Sequence, residues 1–535
     1  MKQLAGASPL VLLWALPLLA GLFAMLPAVT DGQVWASLLS HPQLWPSLAL
    51  SVLTGSLSTG LALVAAILIA AGSYRTRFWS RMPAVAAGGL AIPHLAFAIG
   101  FGFLVMPAGW LARLVAGGDT PPAWITVQDP WGLSLIAVLV LKEIPFLLAM
   151  IWSILSRGDA ASGLDGQWRA ARSLGHAPGS IWLKVILPQL LGRLVWPIVI
   201  VWVYGATVVD MALVIGPTQP PTMAVIIWRD LNNAEAAVNS RGAAGALCLT
   251  LALAVMTALF AIAGQAICRV MKLGYGQGPS LRLVPRWIPA FLAGATALVY
   301  VLTLAVLMLM SLAPRWPYPA LWPEALRTTA WHLLGADPAP ILLSLGLGLI
   351  VSLVAVGLVV VWLETQPERS DRLVIALALG ALGLPQLLTA AGEYRLLLHL
   401  GLSATLPGLF LVHLTPTMAY VAIVLVGPYR ALDPRYAGVA RSLGARPVHL
   451  WWRVKAPLLW APLLMAAAVG FSVSLVQFVP AQLIAAGRFT TLPMDAVTIS
   501  SGGNRALTAV YALALSVPSL VAFALAALLG RPRWR

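Results

Sequence analysis

A chain of 535 residues with 60% hydrophobic residues, 9% charged residues and a mean hydropathy of +0.90 is excluded from the ordinary soluble proteins, in which about a quarter of residues are charged. Its net charge of +16 does not point to nucleic acid, because Lys and Arg sit mainly in short segments between apolar runs, as positive-inside sorting requires. Lipid offers no partner to an open backbone, so these runs are expected as helices rather than strands.

Twelve candidate spans follow in chain order, near 9–28, 47–72, 83–108, 131–156, 189–216, 243–268, 288–312, 338–363, 373–392, 406–428, 461–486 and 506–530. The first lies behind Lys2 like a signal sequence, but more spans follow and no convincing small-residue cleavage site ends it, so it reads as a retained span. With the amino terminus in the cytoplasm, 24 of the 33 Lys and Arg residues collect on one side, from Arg75, Arg77 and Arg81 to the tail Arg531, Arg533 and Arg535. Both termini are therefore expected in the cytoplasm. Cys248 and Cys268 fall in one expected helix, roughly 30 Å apart, too distant to pair and too few for a metal framework.

The chain is a duplication. Aligning Gly175 with Gly444, an offset of 269 residues, also superposes Arg172 on Arg441, Ser173 on Ser442, Leu174 on Leu443, Pro178 on Pro447, Trp182 on Trp451 and Pro188 on Pro457. Lys142-Glu143-Ile144-Pro145 in the fourth span matches His413-Leu414-Thr415-Pro416 in the tenth, and Ile92-Pro93-His94 in the third resembles Leu384-Pro385-Gln386 in the ninth. The joint is the glycine- and proline-bearing basic stretch Lys272 to Arg286, read as a linker. The expected domains are 1–275, with a repeated loop at 160–188, and 276–535, with its counterpart at 430–457. Two six-span halves of the same orientation imply a pseudo-two-fold axis along the membrane normal, with a solute path between them.

Each loop is punctuated as two short helices meeting at a bend. Gly175 and Gly444 suit the left-handed position that ends a helix, and Pro178 and Pro447 suit the first turn of the next. Ile181, Trp182 and Val185 line one face of that next helix, as Leu450, Trp451 and Val454 do in the second copy. An apolar stripe with basic edges at Arg172 and Arg441 suits a groove in a partner protein. An amphipathic helix on the lipid surface has the same composition, but it needs no bend repeated in both halves.

The loops resemble the EAA loop of binding-protein-dependent ABC importers, EAA-x3-G-x9-I-x-L-P. In the first copy Ala170, Ala171, Gly175, Leu187 and Pro188 match, with Val185 at the isoleucine; in the second Ala440, Gly444 and Pro457 match, with Val454 and Ala456 at the isoleucine and leucine. Arg169 and Gly438 stand where the family has its glutamate. The layout is similar to the fused thiamine and ferric-iron permeases. The resemblance implies an all-α polytopic membrane protein of about 12 transmembrane helices, built as two tandem type I (MetI-like) permease halves in the bacterial inner membrane. It implies coupling loops, with Arg172, Pro178, Arg441 and Pro447 beside the motif residues, seated on two separate ATP-binding subunits. It also implies a periplasmic solute-binding protein, for which the external segment from Ile215 to Arg241 and its counterpart near Leu492-Pro493 are candidate surfaces. None of the five lysines follows a glycine, so no phosphate-binding P-loop is present, and ATP would be used by the partner, with no cofactor in this chain.

Ionisable groups inside spans cost roughly 2.5–3.5 kcal/mol each on insertion scales. Lys142 and Glu143 are adjacent, so they point about 100° apart, and Pro145 frees a carbonyl nearby. Their counterpart is His413 before Pro416. These positions line a path or make interhelical bonds. Asp210, the sole acid of the fifth span, carries the same two readings. Gln386, Gln477 and Ser474 are weaker candidates. His94 is expected to be an isolated packing residue, and Glu393, Arg395 and His399 a solvated external group. No constellation resembles an enzyme site. The competing class is a twelve-helix secondary transporter driven by an ion gradient, which has no need of the two loops.

Overall fold

A computed structural model describes residues 15, 19–116, 118–156, 158–273 and 287–530. Among them all regular secondary structure is helical, apart from one isolated bridge between Thr218 and Pro221. Among the described residues nine helices are long and apolar enough to cross a membrane, or eleven if each of two sharply bent pairs is counted as one span. Nine of the twenty residues of the expected first span, 9–28, lie outside the described residues, as do the linker stretch 274–286 and the C-terminal tail 531–535.

The helices used below are α1 (Leu44–Ser73), α2 (Met82–Ala91), α3 (His94–Val105), α4 (Leu133–Ser156), α5 (Gly158–Ser173), α6 (Val195–Thr207), α7 (Asp210–Val214), α8 (Ala236–Leu273), α9 (Trp287–Leu312), α10 (Ala339–Thr365), α11 (Asp371–Gly383), α12 (Gln386–His399), α13 (Leu406–Arg430), α14 (Pro434–Ser442), α15 (Trp460–Leu475), α16 (Val479–Ala485) and α17 (Arg505–Leu529). The buried face of α1 carries Ser51, Gly55, Ser58, Ala62, Ala66 and Ala70, while Leu53, Leu57, Leu61 and Val64 point outward. This arrangement belongs to a bilayer, where lipid is as apolar as leucine and small residues let helices approach. A Cβ at Gly55 would meet Ala206 of α6 at 2.8 Å.

Four expected spans are broken. Proline disfavours helical geometry in the residue before it, so Ile92 and Leu384 take extended conformations, splitting 83–108 into α2 and α3 and 373–392 into α11 and α12. The second pair bends by 101°. In the span expected at 189–216 the helix is interrupted at 208–209, between α6 and α7, while Val195–Val214 together is still long and apolar enough to cross; the span expected at 461–486 ends early, at Leu475, and is followed by the short helix α16.

The two halves interlock. In α4, Pro145 cannot donate to the carbonyl of Leu141, and the hydroxyl of Tyr300, from α9 of the second half, donates to that oxygen at 3.1 Å. Gly72 of α1 accommodates Pro289 of α9, and Gly100 of α3 accommodates Leu307. In the other direction, the backbone of Gly21 lies against Gly392 of α12, so close that a Cβ on either would sit 2.7 or 2.6 Å from the other chain segment.

Candidate functional site

Both repeated loops have the geometry their glycines and prolines dictate. Gly175 and Gly444 have φ of +86° and +81°. Around Gly175, His176 N–H donates to Ala171 O at 3.1 Å and Gly175 N–H to Arg172 O at 3.0 Å; Ala445 to Ala440 (3.0 Å) and Gly444 to Arg441 (2.9 Å) repeat the pattern. These are Schellman terminations. Pro178 and Pro447 open the next helices. Pro188 and Pro457 cannot donate to the carbonyl four residues back, and in each copy the turn before them widens to a π-helix, Trp182–Ile186 and Trp451–Lys455.

The expected partner-facing stripe is corrected. Ile181 and Trp182 are 1% and 5% exposed and pack inward, as does Leu450, because the widened helix lies against its own half. The most exposed apolar groups, at matching places in both copies, are Leu174 and Leu443, at 79% and 82%, on the tips beside exposed Arg172 and Arg441; the second copy also exposes Val439, Val448 and Trp452. The tip sequence Ala-Arg-Ser-Leu-Gly is identical in the two copies, and the leucine within it is the signal that could have marked the exposed face.

The loop bases are fastened to span ends by different chemistry. In the first copy Asp165 pairs with Arg75 at 2.7 Å and with Arg169, at the position of the absent glutamate, at 3.0 Å. The Tyr74 ring meets Trp79, Trp168 and Trp182 edge-on at 5.3, 5.4 and 5.8 Å. In the second, Lys455 Nζ pairs with Glu364 at 2.6 and 2.9 Å, Tyr429 donates to Glu364, and Trp451 Nε1 donates to the Tyr429 hydroxyl. Arg430 holds Asp371 with bonds of 2.6 and 2.8 Å and donates to the carbonyls of Leu363 and Gln366.

In the membrane interior, Lys142 is 1% exposed and donates to Gly89 O at 2.8 Å and Ile92 O at 2.6 Å. It satisfies the end of α2 where Pro93 breaks the helix. Glu143 turns elsewhere: its Oε1 lies 3.5 Å from His94 Nε2. His94 is therefore not isolated, and its ring also packs edge-on against Tyr204 at 5.0 Å. Asp210 begins α7. Tyr204 is a residue that sequence reasoning missed: it carries no charge, and only its ring against His94 marks it.

The second half repeats the positions without the charge. His413, at the counterpart of Lys142, meets Ser474 Oγ through Nδ1 at 3.0 Å, and its buried Nε2 has no partner among the described residues. Gln386, at the counterpart of His94, donates to Gln477 Oε1 at 2.6 Å. Leu414 stands opposite Glu143 in the alignment.

One further expectation, at Glu393, is also corrected. Glu393 lies within α12, 4% exposed, with Oε1 unpartnered, because the bend at Leu384 folds α12 back into the protein. In the segment from Ile215 to Arg241, the helix Met223–Leu231 is largely buried, as is the start of Leu492–Ser501; the exposed pieces are 232–237 and 501–505.

No family model matches the chain. It is 30% identical over 527 residues to the inner membrane ABC transporter permease protein YnjC of Escherichia coli K12, covering 97% of this chain and 96% of that protein. Shorter stretches resemble the putrescine transport system permease protein PotI of Escherichia coli K12 (29% over 116 residues, 22% of this chain and 41% of that one). The molybdenum transport system permease protein ModB of Mycobacterium tuberculosis matches similarly (31% over 121 residues, 22% and 44%).

Proposed function

Because the chain belongs to the ABC transporter permeases, the non-catalytic, multi-pass subunits of the inner membrane, we propose that it forms the translocation path of an importer driven by two separate ATP-binding subunits. The two halves, 1–275 and 276–535, flank that path, and the repeated loops with both termini lie on the cytoplasmic side. The observation that carries this reading is the pair of identical exposed tips, each held by a Schellman turn and braced against the ends of α1 and α10. A push on Leu174 or Leu443 is transmitted through those braces to the spans. ATP is bound by the partner, and a periplasmic solute-binding protein delivers cargo to the opposite face.

Glu143 and Asp210 line the path, whereas Lys142 and His413 hold helices. Family likeness puts forward thiamine and ferric iron as cargo, and uptake of each by the assembled transporter decides between them. Single cysteines beside Arg172 and Arg441 test the topology. Labelling by a membrane-impermeant reagent only after the membrane is opened supports the reading, and labelling from outside intact cells refutes it.

A further inference from the structure

At the end of the molecule opposite the repeated loops, two connecting segments are turned inside out. Pro289, at the start of α9, lies on Gly72 near the loop brace at Arg75, so Leu312 marks the far end of α9. With 26 residues, α9 is roughly 39 Å long against a hydrocarbon core of about 30 Å, which puts Leu312 at the membrane surface. The chain leaves α9 there and returns, Arg327 N–H donating to Leu312 O at 2.7 Å. Against this excursion packs the six-residue helix Trp110–Val115 of the first half. Its Arg113 is 7% exposed and donates to the carbonyls of Trp316, Pro317 and Ala320 at 2.9, 2.8 and 2.6 Å. The guanidinium also lies 4.9 and 5.5 Å from the rings of Trp316 and Tyr318. Trp110 Nε1 donates to Leu321 O at 3.2 Å, and the Trp110 ring meets Trp322 edge-on at 5.7 Å. These bonds gather one apolar surface from both halves: Leu111, Leu114, Val115, Leu321 and Trp322 are exposed, Val115 at 74% and Trp322 at 62%. Water would favour the reverse, since an arginine is solvated there without cost and leucine gains by burial. A helix that buries its one charge on carbonyls and turns leucine and valine outward fits an apolar surrounding.

We propose that this two-part surface is a foot lying in the headgroup–acyl boundary of the leaflet opposite the loops, and that it ties the ends of α3 and α9 to that depth. Tryptophan is at home at this boundary. Asp119, Arg315 and Glu324, exposed in the same two segments, keep the foot at the boundary rather than in the hydrocarbon. Lipid is the occupant rather than a protein, because the pieces left for a protein at this end, 232–237 and 501–505, are of the opposite character: Asn232, Asn233, Glu235, Asn504 and Arg505 are exposed there.

The full chain carrying Cys248→Ser and Cys268→Ser is reconstituted in phosphatidylethanolamine–phosphatidylglycerol vesicles, with one nitroxide-labelled cysteine in each sample. Leu114→Cys and Trp322→Cys report on the foot. Val301→Cys, on the exposed face of α9, is the lipid reference, and Asn233→Cys and Ser501→Cys are the water references. Power saturation measures collisions of the label with oxygen, which concentrates in lipid, and with a nickel chelate, which stays in water. The oxygen-to-nickel ratio at 114 and 322 is expected to exceed that at 233 and 501 by about 3-fold or more, as for burial about 5–10 Å into the boundary. Carbene labelling of the unsubstituted chain by a lipid-partitioned aryl diazirine, read by peptide mass spectrometry, needs no cysteine. It is expected to modify 111–115 and 321–322 but not 232–237. Ratios at 114 and 322 equal to those at 233 and 501 overturn the proposal. Protection of both labels from both reagents also overturns it, since that is the mark of a protein cover, and so does an unmodified foot in the diazirine experiment. No ATP-binding subunit or solute is present in these measurements, so their failure is distinct from failure of the permease reading.

Discussion

Replacing Gly175 and Gly444 with valine isolates the loop conformation from everything around it. Their φ values of +86° and +81° lie in the left-handed region, yet a Cβ at either position would meet nothing within 4 Å. The cost is therefore backbone strain alone, about 1–2 kcal/mol per loop, and it falls on a surface turn rather than on the packed spans. If the tip must hold this turn to dock, that strain reduces the docking-competent population by about 5- to 30-fold for one loop. The loop bases are braced by different residues, so the two effects are expected to add, giving about 30- to 1,000-fold for the double variant. The assay is capture of the ATP-binding subunit by detergent-solubilised permease, alongside thermal unfolding of the permease alone. Capture falls in these proportions while unfolding barely moves. Asparagine tolerates the left-handed region, so Gly175→Asn and Gly444→Asn retain most of the capture. If the asparagine variants lose as much as valine, or the double valine variant loses nothing, the argument from backbone geometry is wrong.

Three further outcomes follow from the interior contacts and the outer face. Lys142→Met leaves the carbonyls of Gly89 and Ile92 without their donor and lowers stability by about 2–4 kcal/mol, and Tyr300→Phe does the same to Leu141 by about 1–2 kcal/mol; denaturant titration in detergent measures both. Gly21→Leu and Gly392→Leu each force apart two segments whose backbones touch, at about 1–3 kcal/mol. Because they break one contact, the double variant costs less than the sum. Asp495, outside the long spans, has its carboxyl pushed above the ordinary range by burial and then by nearby Asp337. The folded state therefore takes up that proton first. Stability rises as pH falls through the raised value toward that of the unfolded chain, and Asp495→Asn flattens this part of a thermal-unfolding pH profile.

The sequence by itself determined the class, most of the apolar helical segments and the two bent loops. Each depends on local rules: an apolar run long enough for a bilayer, a glycine where φ must be positive, a proline where a donor must be missing. The duplication was legible for the same reason, since Ala-Arg-Ser-Leu-Gly recurs as written. Facing and partnership were not local. Whether Trp182 looks outward or inward depends on the half it lies against, and Lys142 and Glu143, neighbours in the chain, part company because one meets the broken end of α2 and the other meets His94. Interlocking of the halves through Tyr300 and through Gly21 against Gly392 leaves no periodic trace, because one glycine or one hydroxyl suffices at each crossing. The surroundings of Glu143 were half visible: charge in a span announces itself in the sequence, but only the tertiary structure set His94 and, behind it, Tyr204 there.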